Sequence, residues 1–159
     1  EEINCVPQDW NNFWKHAQEA YDFIINRNDE ATVWRYINSP NKYKIYSLRK
    51  NNNLIGYFVI RINHSEKSKR IVIADYLTLP KEEKVLAVGI NHVIERAFAI
   101  GANRVSLWCV EGSPYQKMFE RIGFFARGCV PVICYKNKFS EKFETCNSWH
   151  FTMGDSDNI

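Results

Sequence analysis

The chain has 159 residues, 45% of them apolar and 14% aromatic, enough to fill one hydrophobic core of domain size. Its 21 basic and 18 acidic residues leave a formal charge of +3, a mixed surface that lacks the basic stripe nucleic-acid binding needs. No apolar run reaches the length of a membrane span, and the 5 cysteines (5, 109, 129, 134 and 146) form no CxxC and have no histidine at ligand spacing, which argues against zinc and for reduced thiols in a cytoplasmic protein.

Asp9 stands as N-cap before Trp10, Phe13, Trp14, Ala17 and Tyr21, whose spacing puts large rings on one helical face. A second helix is expected from Asn28 to Asn38, carrying Val33, Trp34 and Ile37 and stopped by Ser39-Pro40. Residues 1–40 thus read as a helical N-terminal segment. Lys42 to Arg49 alternates polar and apolar, Asn51-Asn52-Asn53 signals a turn, and Leu54 to Ile62 returns, which predicts an antiparallel hairpin. Gly56 reads as a bulge or a close backbone approach, or equally as a plain strand glycine.

The polar run His64 to Lys69 reads as loop, and its Lys67, Lys69 and Arg70 beside Glu66 are the densest basic cluster, best read as a solvated hairpin end. Ile71 to Leu79 follows as a third, central strand. Asp75 is the exception inside it. A carboxylate there must be paired, hydrogen-bonded or at a wet strand end, so Asp75 reads equally as a chemical base or as the acceptor of a structural network.

After Pro80 a long amphipathic helix runs from about Glu82 to Ile100, with Leu86, Ile90, Val93, Ile94 and Ala97 on one stripe and Gly101 ending it. Arg104 to Val110 is a second apolar strand, and two such strands joined by a crossover helix imply a near-parallel pair. Ser113-Pro114 opens a short helix that presents Tyr115, Met118, Phe119 and Ile122 and closes on Gly123-Phe124. Val130 to Lys136 and Trp149 to Met153 are further strands, with a polar connection from Lys136 to Cys146. The core spans 41–136, and 137–159 form a C-terminal loop and strand of the same domain. His150 reads as a structural histidine, and Asp155 and Asp157 as a solvated tail that lacks the ligands of a metal site.

Hairpin, third strand, crossover helix, strand, short helix ending in Gly-Phe, then two strands: from Tyr43 to Met153 this order resembles the GNAT acyltransferase superfamily. The string WRYINSP resembles a segment of GNAT-like proteins with two tandem domains, and the tail WHFTMGDSDNI resembles the ending of some bacterial GNAT-like proteins. The resemblance implies an α/β (α+β) fold with a mainly antiparallel central sheet and helices on both faces. It implies acetyl-CoA or another acyl-CoA as co-substrate, with its pyrophosphate on backbone N–H groups at the start of the crossover helix, where unpaired donors and the helix dipole meet an anion. On this chain the implied contacts are Leu77, Leu79, Lys84, Ala87, Gly89 and Phe119.

The family's loop reads Arg or Gln, two residues, Gly, one residue, Gly or Ala. Here Lys84-Val85-Leu86-Ala87-Val88-Gly89 puts Lys for Arg and Ala for the first Gly, with Glu82 and Glu83 adding negative charge nearby. The short helix normally carries a tyrosine as general acid before Gly-Phe; this chain has Phe119 there, and Tyr115 one turn earlier is the nearest phenol, either a substitute or packing. Asp75 is the implied base and Glu111 the second candidate.

Two functions follow as expectations. The first is acyl transfer from acyl-CoA to an amine of a small-molecule or sugar-like acceptor. The second is a catalytically inactive GNAT-like module that pairs with an upstream domain or a second copy, since the chain opens on Glu1 and reads as part of something longer. An open wedge between the central strands favours the first, and side chains filling it favour the second.

Overall fold

The computed structural model describes residues 1–65, 68–131 and 148–156. A five-stranded sheet in the order β1-β3-β4-β5-β6 carries the rest. Strands β1 (Glu2–Ile3), β3 (Tyr43–Lys50), β4 (Asn53–Ser65) and β5 (Ser68–Thr78) each run antiparallel to the next in that order, and within this sheet β6 (Arg104–Ser106) alone is parallel to its neighbour. The mainly antiparallel α/β class expected from the sequence is the one observed. The β3–β4 turn has Asn51 at φ 50° and Asn52 at φ 68°. Asparagine tolerates this left-handed region, and a tight hairpin needs it at both central positions to match the strand twist.

Helices cover both faces. On one face lies α1 (Trp10–Gln18), with Trp10, Phe13, Trp14 and Ala17 buried against Tyr57 and Val59. The other face receives α3 (Glu83–Ala99), whose Leu86, Ile90, Val93 and Ala97 are buried, and α4 (Pro114–Arg121), which adds Tyr115, Met118 and Phe119. A bulge in β5 assigns residues to these faces. Val59 pairs with Asp75 but the next residue, Ile60, pairs with Ile73, so one residue of β5 is extra. Such an insertion breaks the alternation of a strand. Ile71, Ile73 and Tyr76 therefore face α3, whereas Ala74 and Leu77 face α1.

Five sequence expectations need correction. The polar run His64 to Lys69, expected as loop, is mostly strand, since β4 extends through Ser65 and β5 begins at Ser68, with His64 paired to Lys69. The helix expected from Asn28 to Asn38 is a short α2 (Asp29–Thr32) that widens into a π turn over Val33–Ile37. The cap at Asp9 is not made; that carboxylate instead takes a two-pronged contact from Arg49, at 2.9 Å for each arm, because a guanidinium fork matches both oxygens at once. The strand expected over 104–110 pairs with β5 only through Ser106, since the chain then leaves the sheet. The strand expected from Trp149 to Met153 is β7 (Trp149–His150), which runs parallel to β2 (Phe23–Ile24) outside the main sheet. The strand expected over Val130 to Lys136 and the connection to Cys146 lie almost wholly outside the described residues. Among the described residues no helix is long and apolar enough to cross a membrane.

Glycine 89 sets the distance between α3 and the sheet. A Cβ built there would stand 2.5 Å from the Phe58 ring and 3.1 Å from Leu48 Cδ2. Overpacking of this kind costs about 1–3 kcal/mol. Gly89→Ala is expected to lower the unfolding free energy by that amount in urea titrations, with an unchanged m-value.

Candidate functional site

Two features dominate the C-terminal half of β5, one on each side of the strand. On the α1 face the bulge aims the fully buried Asp75 into a cluster of donors. Arg27 Nε reaches both its oxygens at 3.1 Å, Tyr36 and Tyr57 hydroxyls donate to Oδ2 at 3.0 and 2.8 Å, and Oδ1 accepts from Thr152 Oγ1 at 3.0 Å and from the Tyr76 N–H at 2.9 Å. Arg27 Nη2 also donates to Asp155 Oδ2 at 2.6 Å, and Arg35 Nη1 to Asp155 Oδ1 at 2.9 Å. Two guanidinium groups thus face two carboxylates, and the buried charges cancel.

The phenols stay protonated. Burial first, and the Asp75 charge second, hold Tyr36 and Tyr57 well above the ordinary tyrosine range. Burial works against the Arg27 charge, yet Asp75, the phenols and Asp155 together hold its pKa well above the usual value. An Asp75 carboxylate whose two oxygens each accept three contacts, and which has no solvent exposure, has no lone pair directed at an incoming amine. Its geometry is that of an acceptor in a structural network.

Along its other edge β5 parts from β6 after Val72 and Ser106, which leaves a wedge between the central strands. Unpaired backbone groups of β5 face this wedge, and side chains take them. The Thr78 N–H donates to Tyr115 Oη at 3.0 Å, and the Tyr76 carbonyl accepts from His150 Nε2 at 2.8 Å. A carbonyl only accepts, so Nε2 carries the imidazole proton. The Tyr76 hydroxyl spans the divergence to the Trp108 carbonyl at 2.9 Å. Rings fill the space between: Tyr76 lies 5.0 Å from Tyr115, 5.1 Å from Phe119 and 5.3 Å from His150, and Tyr21 lies 5.1 Å from His150. Burial pushes the Tyr115 phenol up against the opposing pull of its Thr78 and Tyr21 hydrogen bonds.

The helix start is likewise engaged. Pro80 has no N–H, Lys81 sits at φ 72°, and its N–H donates to Glu83 Oε1 at 3.1 Å. An acyl-CoA in this wedge needs free edge donors on β5 and an anion-accepting turn before α3. The Thr78 donor is held by Tyr115, the Tyr76 carbonyl on the same edge is held by His150, and the Glu83 carboxylate engages the Lys81 N–H of the turn. As arranged, these residues do not fit the cofactor.

The sequence-predicted contacts are not brought into one cleft. Leu77 is buried on the α1 face with Leu79 beside it, and the Leu79 N–H is bonded to Ile55 O at 2.8 Å. Gly89 meets Phe58, Ala87 packs on the α3-face core, and Lys84 is exposed. Phe119 is buried edge-on to Tyr76. Tyr115 alone reaches the wedge with a polar atom. Glu111 is exposed in the loop before α4. Asp155, expected as solvated tail, is instead a buried partner of Arg27 and Arg35, because the tail folds back over β5; Asp157 lies outside the described residues. Sequence reasoning missed Arg27, Tyr57 and Thr152. The one available signal was the need of Asp75 for a counter-cation, which did not say which arginine, 48 residues away, would supply it.

A family model described as the acetyltransferase (GNAT) family matches residues 9–124. The chain belongs to that family, whose general reaction is acyl transfer and whose members generally use an acyl-CoA. Its fold is similar to that of a ribosomal-protein-alanine N-acetyltransferase from Brucella melitensis biovar Abortus 2308, at 13% identity and a TM-score of 0.59 over 80% of this chain and 91% of that one. It is similar to a transcriptional regulator from Bacillus halodurans C-125 (13% identity, TM-score 0.62, 85% and 99% covered). It is also similar to an aminoglycoside acetyltransferase from an uncultured soil metagenomic sample in complex with sisomicin (15% identity, TM-score 0.56, 82% and 87% covered). No curated protein sequence matches the chain.

Two measurements follow from these geometries. Removing one member of a buried ion pair costs about 3–5 kcal/mol because the other charge is stranded; Asp75→Asn and Arg27→Met are each expected to lose stability on that scale in urea unfolding. Burial, with the Arg27 charge second, pushes the His150 pKa down to about 3. The unfolded chain takes up that proton near pH 6.5, so this contribution is complete above about 6.5 and is lost as pH falls toward 3, at up to about 1.4 kcal/mol per pH unit. Unfolding free energies measured from pH 7 to pH 4 are expected to fall less steeply in His150→Gln than in the parent chain.

Proposed function

We propose that this chain takes part in acyl transfer as a pairing or binding module with the GNAT fold, the acyl-CoA being held by another GNAT-fold domain or chain. The observation that carries this reading is the capped edge of β5, where Tyr115 holds the Thr78 N–H and His150 the Tyr76 carbonyl. The Glu83 carboxylate, which reaches back from the first residue of α3 to the Lys81 N–H, supports it, since negative charge there repels a pyrophosphate. Phe119, which has no proton to donate, supports it as well. The module keeps the architecture of the family while its wedge serves as core.

One observation favours a second reading, in which the chain itself is an acyl-CoA-dependent N-acyltransferase. The Tyr115 hydroxyl already lies in the wedge, on α4, where the family carries its general acid. The acceptor would then be an amine of a small or sugar-like molecule, in line with the sisomicin complex of the aminoglycoside acetyltransferase. This reading requires Tyr115 and His150 to turn out of the wedge before a cofactor enters.

Calorimetry and thermal unfolding with acetyl-CoA separate the two. A ligand that binds the folded chain at 100 times its Kd stabilises it by about 2.7 kcal/mol, so a functional site raises the melting temperature visibly at millimolar acetyl-CoA. The expected result is no heat and no shift. A saturable shift that Tyr115→Phe alters would instead establish the second reading.

A further inference from the structure

We propose that the cavity between the π turn and the C-terminal turn is a binding site for a neutral saccharide ring. This does not depend on where acyl-CoA is held. The cavity has a volume of about 460 Å³ and is lined by Trp34, Arg35, Asn38, Asn41, Tyr43 and Asp155, among others. That is within the range of roughly 300–1,000 Å³ typical of small-molecule pockets.

Its residues divide into a platform, a set of open polar groups and a rigid floor. Trp34 is the platform: its side chain is 73% exposed, while Tyr36, two positions on, is buried. An indole left in water in this way contributes little to the core, and it sits on a π turn, a wide helical turn that recurs at functional sites. The face of an indole matches the C–H face of a pyranose, apolar and flat.

The polar groups come next. Among the described residues the side chains of Asn38 and Asn41 have no hydrogen-bond partner, and the Tyr43 hydroxyl has none; the Tyr43 ring packs on the α1-face core and stands edge-on to Tyr36 at 5.2 Å. Each carboxamide offers a donor and an acceptor side by side, the pattern that pairs with neighbouring hydroxyls.

The floor is rigid and electrically balanced. Arg35 is held by Asp155, and Gly154 lies so close to the Tyr36 hydroxyl that a Cβ has no room there. The Arg35 charge is matched by Asp155, so neither an anion nor a cation is favoured over a neutral polyhydroxyl ligand. A site assembled beforehand in this way saves the ordering cost of binding.

The test is a titration of the folded chain with methyl glucoside, N-acetylglucosamine and cellobiose, followed on the tryptophan indole N–H resonances, with Trp34 assigned from the spectrum of Trp34→Ala. The expected result is that at least one sugar shifts the Trp34 resonance saturably up to roughly 50 mM, and that Trp34→Ala and Asn41→Ala each weaken binding roughly tenfold or more. The remaining indole resonances report that both variants are folded. Binding is expected to be insensitive to salt, since no net charge is matched. Failure of all three sugars to move the Trp34 resonance overturns the proposal. So does an unchanged titration in Asn41→Ala, or displacement of the sugar by inorganic phosphate, which would make the cavity an anion site.

Discussion

Burying a carboxylate in the middle of a sheet is the constraint around which this protein is arranged. Asp75 comes to the α1 face through a bulge in β5, and once there it requires a cation and a full set of donors. Arg27, from the segment before α2, supplies the cation, and Tyr36, Tyr57 and Thr152 complete the set. The same guanidinium then reaches Asp155, so the N-terminal segment, the central strand and the C-terminal turn meet at one neutral cluster. Arg35 extends it to the π turn and thereby to the wall of the Trp34 cavity.

The edge of β5 that faces the wedge follows from this anchoring. Thr152 and Asp155 fix the C-terminal turn over the strand, which places His150, two residues before Thr152, at the Tyr76 carbonyl. Tyr115 reaches the Thr78 N–H from α4 on the other side of the divergence. Backbone groups that a cofactor would otherwise satisfy are therefore satisfied within the chain, and each of these capping side chains is buried. A polar edge in a dry wedge has to find partners; this chain found them internally.

The architecture was legible because it is written in local patterns. Alternation in Lys42 to Arg49, the asparagine turn, the apolar stripe of α3 and the left-handed Gly101 after it depend on neighbours a few residues away. The site was legible only in part. Asp75 announced itself as a charge inside an apolar run, and Tyr115 as a phenol on the short helix, yet nothing near either residue said which way it would point. Gly89 shows the difference most plainly: in the chain it stands at a phosphate-loop position, and in the fold it is the gap into which Phe58 fits.

Sequence by itself determined the antiparallel hairpin, the central strand, the crossover helix and the departures from the acyl-CoA loop, since each rests on spacing or on the chemistry of a single side chain. Tertiary structure decided which face of the sheet Asp75 occupies, that Asp155 is buried rather than solvated, and that Tyr115 and His150 close the wedge. The physical reason is the range of the interactions. Periodicity acts over a few residues, whereas the partners of Asp75 lie up to 77 residues away along the chain and meet it only after a one-residue bulge has turned its side chain toward them.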